Sequence, residues 1–206
     1  LSLVLALSAT AQDLMPGRRD GVSSRPNLLA TAENDVDWAQ HEMGMIYAKG
    51  DGVPKDLGQA AKWFRKAADK GYAKSQFALG EAYRTGAGVP KDGVQAVKWY
   101  RLAAEQGVLE AQVQLADAYY TGDGVAKNLP EAIKWYKRLS DLGFALGQYR
   151  LGIAYMEGLG VPKDPTQAVK WFYDAAMQGY EDAQLKLAEA YFTGNGVTKD
   201  YPEAMK

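Results

Sequence analysis

His41 is the one histidine in the 206-residue chain, and no cysteine accompanies it. An imidazole beside Glu42 could act as a general base or a metal ligand. Either role needs company: a second histidine, a thiol, or a nucleophile at a strained turn, and the sequence offers none. Thiol catalysis, disulfides and Cys-ligated zinc are excluded outright. The expectation for His41 is an exposed or edge-packed helix residue. The glycine loops, first met at Gly50-Asp51-Gly52-Val53, lack the spacings of phosphate-cradling loops, and no strand precedes them. Gly50-Asp51-Gly52 also lacks the alternating acidic ligands and terminal Glu of a calcium loop. No catalytic residue, no metal site and no cofactor is expected.

Charge is the second source of chemistry. Lys62, Lys98, Lys134, Lys170 and Lys206 recur at one spacing, and Arg65, Lys66, Lys70, Arg101, Lys137 and Arg138 thicken the column. Such a ladder could make the chain a cell-envelope module that meets an anionic polymer or peptidoglycan. The favoured reading is a solvated outer face whose late-helix cations suit the helix dipole. Lys+Arg total 24 against Asp+Glu 25, a net charge of -1. That balance argues against nucleic acid, which needs a basic excess.

The elements that carry these residues follow from an internal period. Gly-x-Gly-Val recurs at Gly50, Gly86, Gly122, Gly158 and Gly194, always 36 residues apart. The same step links Trp63, Trp99, Trp135 and Trp171; Tyr47, Tyr83, Tyr119, Tyr155 and Tyr191; and Gly71, Gly107, Gly143 and Gly179. Several columns keeping register without an insertion identify a repeat architecture. Each unit reads as two helices. The first, SQFALGEAYRT from Ser75 to Thr85 in the second unit, places Leu79, Ala82 and Tyr83 on one face, and its glycine pair suits a helix C-terminus. The second helix starts at a cap: Asp56, Asp92, Asn128, Asp164 and Asp200 each precede Gln or Glu by three residues. Pro130, Pro165 and Pro202 fall only in the first turn, where the missing N–H costs nothing. Gly44, Gly80 and Gly152 lie inside first helices, with Ala116 and Ala188 in the same column. The expectation is that Trp63, Trp99, Trp135 and Trp171 press against them as structural anchors between stacked hairpins.

The pattern A-Q-x-x-L-G-x-x-Y-x-x-G-x-G-V-x-K-D-x-x-x-A-x-x-W-[FY]-x-x-A-A-x-x-G resembles the Sel-one-like repeat, a relative of the tetratricopeptide repeat with a longer loop inside the hairpin. The resemblance covers Ala39 to Lys206, as repeats 39–74, 75–110, 111–146 and 147–182 and a partial repeat 183–206. The third copy departs at Ala126-Lys127-Asn128 and Leu139-Ser140, and the first has Met43 for Leu. The resemblance implies an all-α fold, an α/α superhelix or solenoid of stacked helix-loop-helix repeats. It also implies a non-enzymatic scaffold for protein–protein interaction, and the chain is expected to be a monomer. Hydrolase activity has been linked to cysteine-rich members, a class this chain does not match.

In related superhelices the first helices line the concave surface. Their third, seventh and tenth positions share a stripe. They read His41/Met45/Ala48, Phe77/Glu81/Arg84, Val113/Asp117/Tyr120, Tyr149/Ile153/Met156 and Leu185/Glu189/Phe192. These columns do not repeat while their neighbours do. Phe77, Arg84, Asp117, Tyr120, Tyr149, Ile153, Met156 and Phe192 are therefore the candidates for a protein or peptide partner. The alternative is that the third position is partly buried core and the others are idle surface.

Upstream of the repeats, Leu1 to Ala11 (LSLVLALSATA) has the apolar run and small-x-small ending of a secretory signal remnant, too short to span a bilayer. Residues 12–38 are expected to form a flexible leader. The mature chain is expected to be exported, periplasmic or secreted if bacterial, without a transmembrane segment. Lys206 stands one period after Lys170, which precedes Trp171, so a Trp is expected to come next and the natural chain to continue.

Overall fold

A computed structural model describes residues 28–205. The signal-like stretch 1–11, residues 12–27 and Lys206 lie outside the described residues. Eleven helices and no strand are found among the described residues. They are α1 (Leu28–Glu33), α2 (Asp37–Lys49), α3 (Leu57–Asp69), α4 (Ala73–Thr85), α5 (Gly93–Glu105), α6 (Leu109–Thr121), α7 (Leu129–Asp141), α8 (Ala145–Glu157), α9 (Pro165–Ala176), α10 (Glu181–Thr193) and α11 (Tyr201–Ala204). Two units result, one running through Leu102 and the other from Ala103.

The repeated residues set the helix ends. Asp56, Asn128, Asp164 and Asp200 each accept the backbone N–H three residues on, and Asp92 does the same for Gln95 at 3.0 Å. Each such cap contributes about 1 kcal/mol. Gly50 closes α2 in the left-handed conformation at φ 78°, with its N–H on the Ile46 carbonyl. That backbone is costly for any residue with a Cβ. The Tyr column explains how the long loop is tied back. The N–H groups of Asp56, Asp92, Asn128, Asp164 and Asp200 donate to the carbonyls of Tyr47, Tyr83, Tyr119, Tyr155 and Tyr191 at 2.8–3.0 Å.

In the unit through Leu102, α1 packs on α2 and α2 on α3. Phe64, Leu79, Trp99, Ala60, Ala68 and Ala82 form one core cluster. In the unit from Ala103, each helix packs on its neighbours in chain order. Ala116, Ala132, Tyr136, Leu139 and Leu151 form its core, with Trp135 and Trp171 against it.

The expected Trp–Gly contact is corrected by one residue. A Cβ at Gly44, Gly80 or Gly152 would run into the ring of Phe64, Tyr100 or Phe172, the residue after each Trp. Adjacent helix positions diverge by about a quarter turn or more, so the two aromatics part. The second ring lies on the glycine of its own hairpin. The Trp also reaches the hairpin before it: Trp63 packs on a cluster that joins Leu28 and Ala32 of α1 to Ala39 and Met43 of its own hairpin, and Trp99 shares a cluster with Ala60, Phe64 and Ala68. Trp99 is buried, whereas Trp63, Trp135 and Trp171 are half-buried.

Residues 28–33, expected inside a flexible leader, are the helix α1, with Leu28 and Ala32 buried. They obey the same period. Leu28 stands one period before Phe64 and Ala32 one before Ala68. Asp35, at φ 71°, occupies the column of Gly71 and shares its positive φ. The amide of Gln40 donates to Ala32 O at 3.1 Å, just as Gln76 donates to Ala68 O at 3.3 Å and Gln112 to Ala104 O at 3.2 Å. Structurally, α1 takes the place that the last turns of a second helix hold in the later repeats.

Candidate functional site

The stripe of first-helix positions divides between the two units. In the unit through Leu102, Phe77 is half-buried with its ring 6.0 Å from that of Tyr100. Arg84 is exposed and clamps Glu81 through Nη2 at 2.6 Å and Nε at 3.0 Å. The Tyr100 hydroxyl donates to the same carboxylate at 2.6 Å. The guanidinium, then the hydroxyl, holds the Glu81 carboxyl below its ordinary range, while burial and the carboxylate push the Tyr100 phenol up.

In the unit from Ala103, the stripe residues of α6 and α8 are all half-buried: Asp117, Tyr120, Tyr149, Ile153 and Met156. Asp117 accepts from the Tyr136 hydroxyl at 2.6 Å, and Arg150 Nη2 lies 3.5 Å from it. Burial, followed by this hydrogen bond, raises the Tyr136 phenol. Lys127 Nζ sits 5.7 Å from the Tyr120 ring centre. Tyr149 stands between Phe172 at 6.0 Å and Tyr180 at 5.2 Å. Asn195 Nδ2 reaches the Met156 sulfur at 3.2 Å. Phe192, on α10, is exposed and meets Tyr201 edge-on at 5.4 Å.

Two expectations change. The seventh stripe position is not left free by the fold. Where the residue after Trp is Tyr, at Tyr100 and Tyr136, the residue nineteen earlier is acidic, Glu81 or Asp117. Where it is Phe, at Phe64 and Phe172, the equivalent residue is Met45 or Ile153. This correlation was readable from the repeats themselves and marks Asp117 as a partner of Tyr136 inside the hairpin. His41 is buried rather than exposed. Its Nδ1 lies 2.9 Å from Ser75 Oγ, and its ring packs on Phe64 and Tyr72 at 5.5 and 5.2 Å. Burial holds its pKa below the ordinary value. No cluster of metal-binding side chains is found among the described residues.

The Lys column faces solvent at Lys62, Lys98, Lys134 and Lys170. Lys134 is tied to Glu131 at 2.8 Å. No helix among the described residues is long and apolar enough to cross a membrane.

The Sel1 repeat model matches five consecutive stretches, 39–72, 73–108, 109–144, 145–180 and 181–206. The chain belongs to the Sel1 repeat family. Among solved structures, it is similar to a Sel1 repeat protein from Oxalobacter formigenes, at 36% identity over 96% of this chain and 81% of that one, with a TM-score of 0.85. It is also similar to c5321, a protective antigen of uropathogenic Escherichia coli with an SLR fold, at 40% identity and a TM-score of 0.81. That match covers 86% of this chain, which spans 38% of the antigen's length. The immunity protein Pa5087 of Pseudomonas aeruginosa, 21% identical over 86% of this chain and 68% of that one, shares the fold at a TM-score of 0.50. No curated protein matches the chain significantly. Sel1 repeats generally mediate protein interactions and form a non-catalytic scaffold.

Proposed function

We propose that this Sel1 repeat protein is an exported scaffold that binds a peptide segment of a protein partner on the first helices of its second unit. The observation carrying this reading is the set Tyr120, Tyr149, Ile153 and Met156. They are half-exposed aromatic, branched and sulfur side chains on α6 and α8, and Tyr120, Tyr149 and Met156 stand in columns that vary while the surrounding columns repeat. Rigid helices present them without a folding step, which keeps the ordering cost of binding low. Asp117 and Arg150 at the edge supply one polar pair for orientation. Phe77 and Arg84 offer a smaller surface on the first unit. Export rests on the small-x-small pattern ending the apolar run at Ala9–Ala11.

The test is selection of binders from a displayed peptide library with the full chain, followed by alanine substitution. Tyr120→Ala, Ile153→Ala and Met156→Ala together are expected to weaken the selected peptides at least about tenfold, as loss of interface anchors does. The helical signal should be unchanged. Binding that survives all three, or that collapses with salt and with loss of Lys134 and Lys170, would replace this reading with contact to an anionic polymer through the lysines.

A further inference from the structure

A cavity lies between the first repeat and the loop of the second. Its volume is about 480 Å3, and Gly58, Ala61, Lys62, Arg65, Lys66, Asp69, Gly88 and Val89 line it. That volume falls within the roughly 300–1,000 Å3 of small-molecule sites. Two small residues open it. Gly58 is replaced in the later repeats by Val94, Pro130, Thr166 and Pro202, and Ala61 by Val97, Ile133, Val169 and Met205. A Cβ added at Gly58 would meet the Asp56 carboxylate oxygen at 3.3 Å and nothing else within 4 Å.

The same repeat concentrates positive charge around that space. Lys62, Arg65 and Lys66 face it against one carboxylate, Asp69. In the second repeat Leu102 stands where Lys66 does, and in the fourth Tyr173 and Asp174 replace Arg65 and Lys66. The third repeat keeps three cations, but its Lys134 is paired with Glu131. The corresponding residue beside Lys62 is neutral Gln59. The cavity's guanidinium is held in place: Arg65 Nη2 donates to the Tyr83 hydroxyl, and its carbon lies 5.4 Å from the Tyr83 ring centre. Lys66 rests over the Trp63 ring at 4.3 Å. Lys70, one turn further on, is already committed to Asp35.

From these residues we propose that the cavity binds a small phosphomonoester, a phosphoryl group carried on an organic body of sugar or nucleoside size. Three cations against one carboxylate match a phosphomonoester, which carries about two negative charges at neutral pH, better than a singly charged carboxylate. A positioned guanidinium offers parallel donors to a phosphoryl group. The volume exceeds what the phosphoryl group alone would fill, and Ala61, Val89 and the lysine stems provide apolar walls for the remainder.

The experiment is calorimetric titration of the full chain at low salt with adenosine 5′-monophosphate, glucose 6-phosphate, inorganic phosphate and adenosine. One of the two phosphomonoesters is expected to bind at one site, at least about tenfold more tightly than inorganic phosphate or adenosine. Ala61→Val and Lys66→Leu import residues of the second repeat, so the fold tolerates them in kind. Each is expected to weaken binding at least about tenfold, with an unchanged melting temperature for Lys66→Leu. Lys98→Ala, on the same column outside the cavity, is expected to leave affinity unchanged. Silence of both phosphomonoesters would overturn the proposal. So would inorganic phosphate binding equally well, or Lys98→Ala weakening binding as much as Lys66→Leu.

Discussion

Tyr136 donates its hydroxyl hydrogen to Asp117 at 2.6 Å, and Tyr100 makes the same bond to Glu81 one period earlier. Each bond joins the two helices of one hairpin. Replacing either partner alone strands a buried hydroxyl or removes the carboxylate's neutral donor. Tyr136→Phe and Asp117→Ile are each expected to cost about 1–3 kcal/mol. Together they install the pair found in the fourth repeat, Phe172 with Ile153, and most of the loss should return. Urea denaturation of the two single variants and the double variant measures this as a coupling energy. Additive losses would show that the pairing is incidental.

His41 should make stability pH-dependent. Its imidazole is buried against Phe64, Tyr72 and Ser75, and burial, the largest influence, lowers its pKa from 6.5. Glu42 opposes that shift and Lys74 adds to it. The unfolded chain therefore takes up the proton before the folded one does. Stability is full above 6.5, falls as the pH drops below it, and levels off once the folded imidazole is also charged. His41→Phe places there the residue that the second repeat has at Phe77. It is expected to remove the slope between neutral pH and about pH 5, measured by chemical denaturation across that range. An unchanged slope would assign it to other groups.

Gly88 and Gly71 separate two kinds of glycine. Both have positive φ, 77° and 94°. At Gly71 an added Cβ meets nothing within 4 Å, whereas at Gly88 it would strike the backbone carbonyl of Leu57 at the start of α3. Gly71→Ala is expected to cost about 1–2 kcal/mol, the strain of the left-handed backbone. Gly88→Ala should cost clearly more, because backbone cannot step aside as a side chain can. Thermal melts of the two variants should rank in that order.

The period, the caps and the hairpin unit were legible in the sequence because each rests on a residue type with a single local job. Three features were not. The partner of Gly44, Gly80 and Gly152 depends on which of two adjacent aromatics faces its own hairpin, and periodicity holds both in register without choosing. The helix α1 was hidden because Asp35 takes the positive-φ place of a glycine and no Trp marks its repeat. The acidic residues of the stripe looked free because each column was read alone. Read as pairs nineteen residues apart, Glu81 with Tyr100 and Asp117 with Tyr136, they are set by the hairpin. Of the candidate site, that leaves Tyr120, Tyr149 and Met156 as the side chains whose variation the packing of their own hairpin does not explain through such a pair.

Hydrogen exchange of the full chain, free and bound to a selected peptide, tests the central claim most directly. Binding through the variable columns predicts slower exchange along α6 and α8, around Tyr120, Tyr149, Ile153 and Met156, with α7 and α9 unaffected. Slower exchange confined to α7 and α9, which carry Lys134 and Lys170, would contradict it.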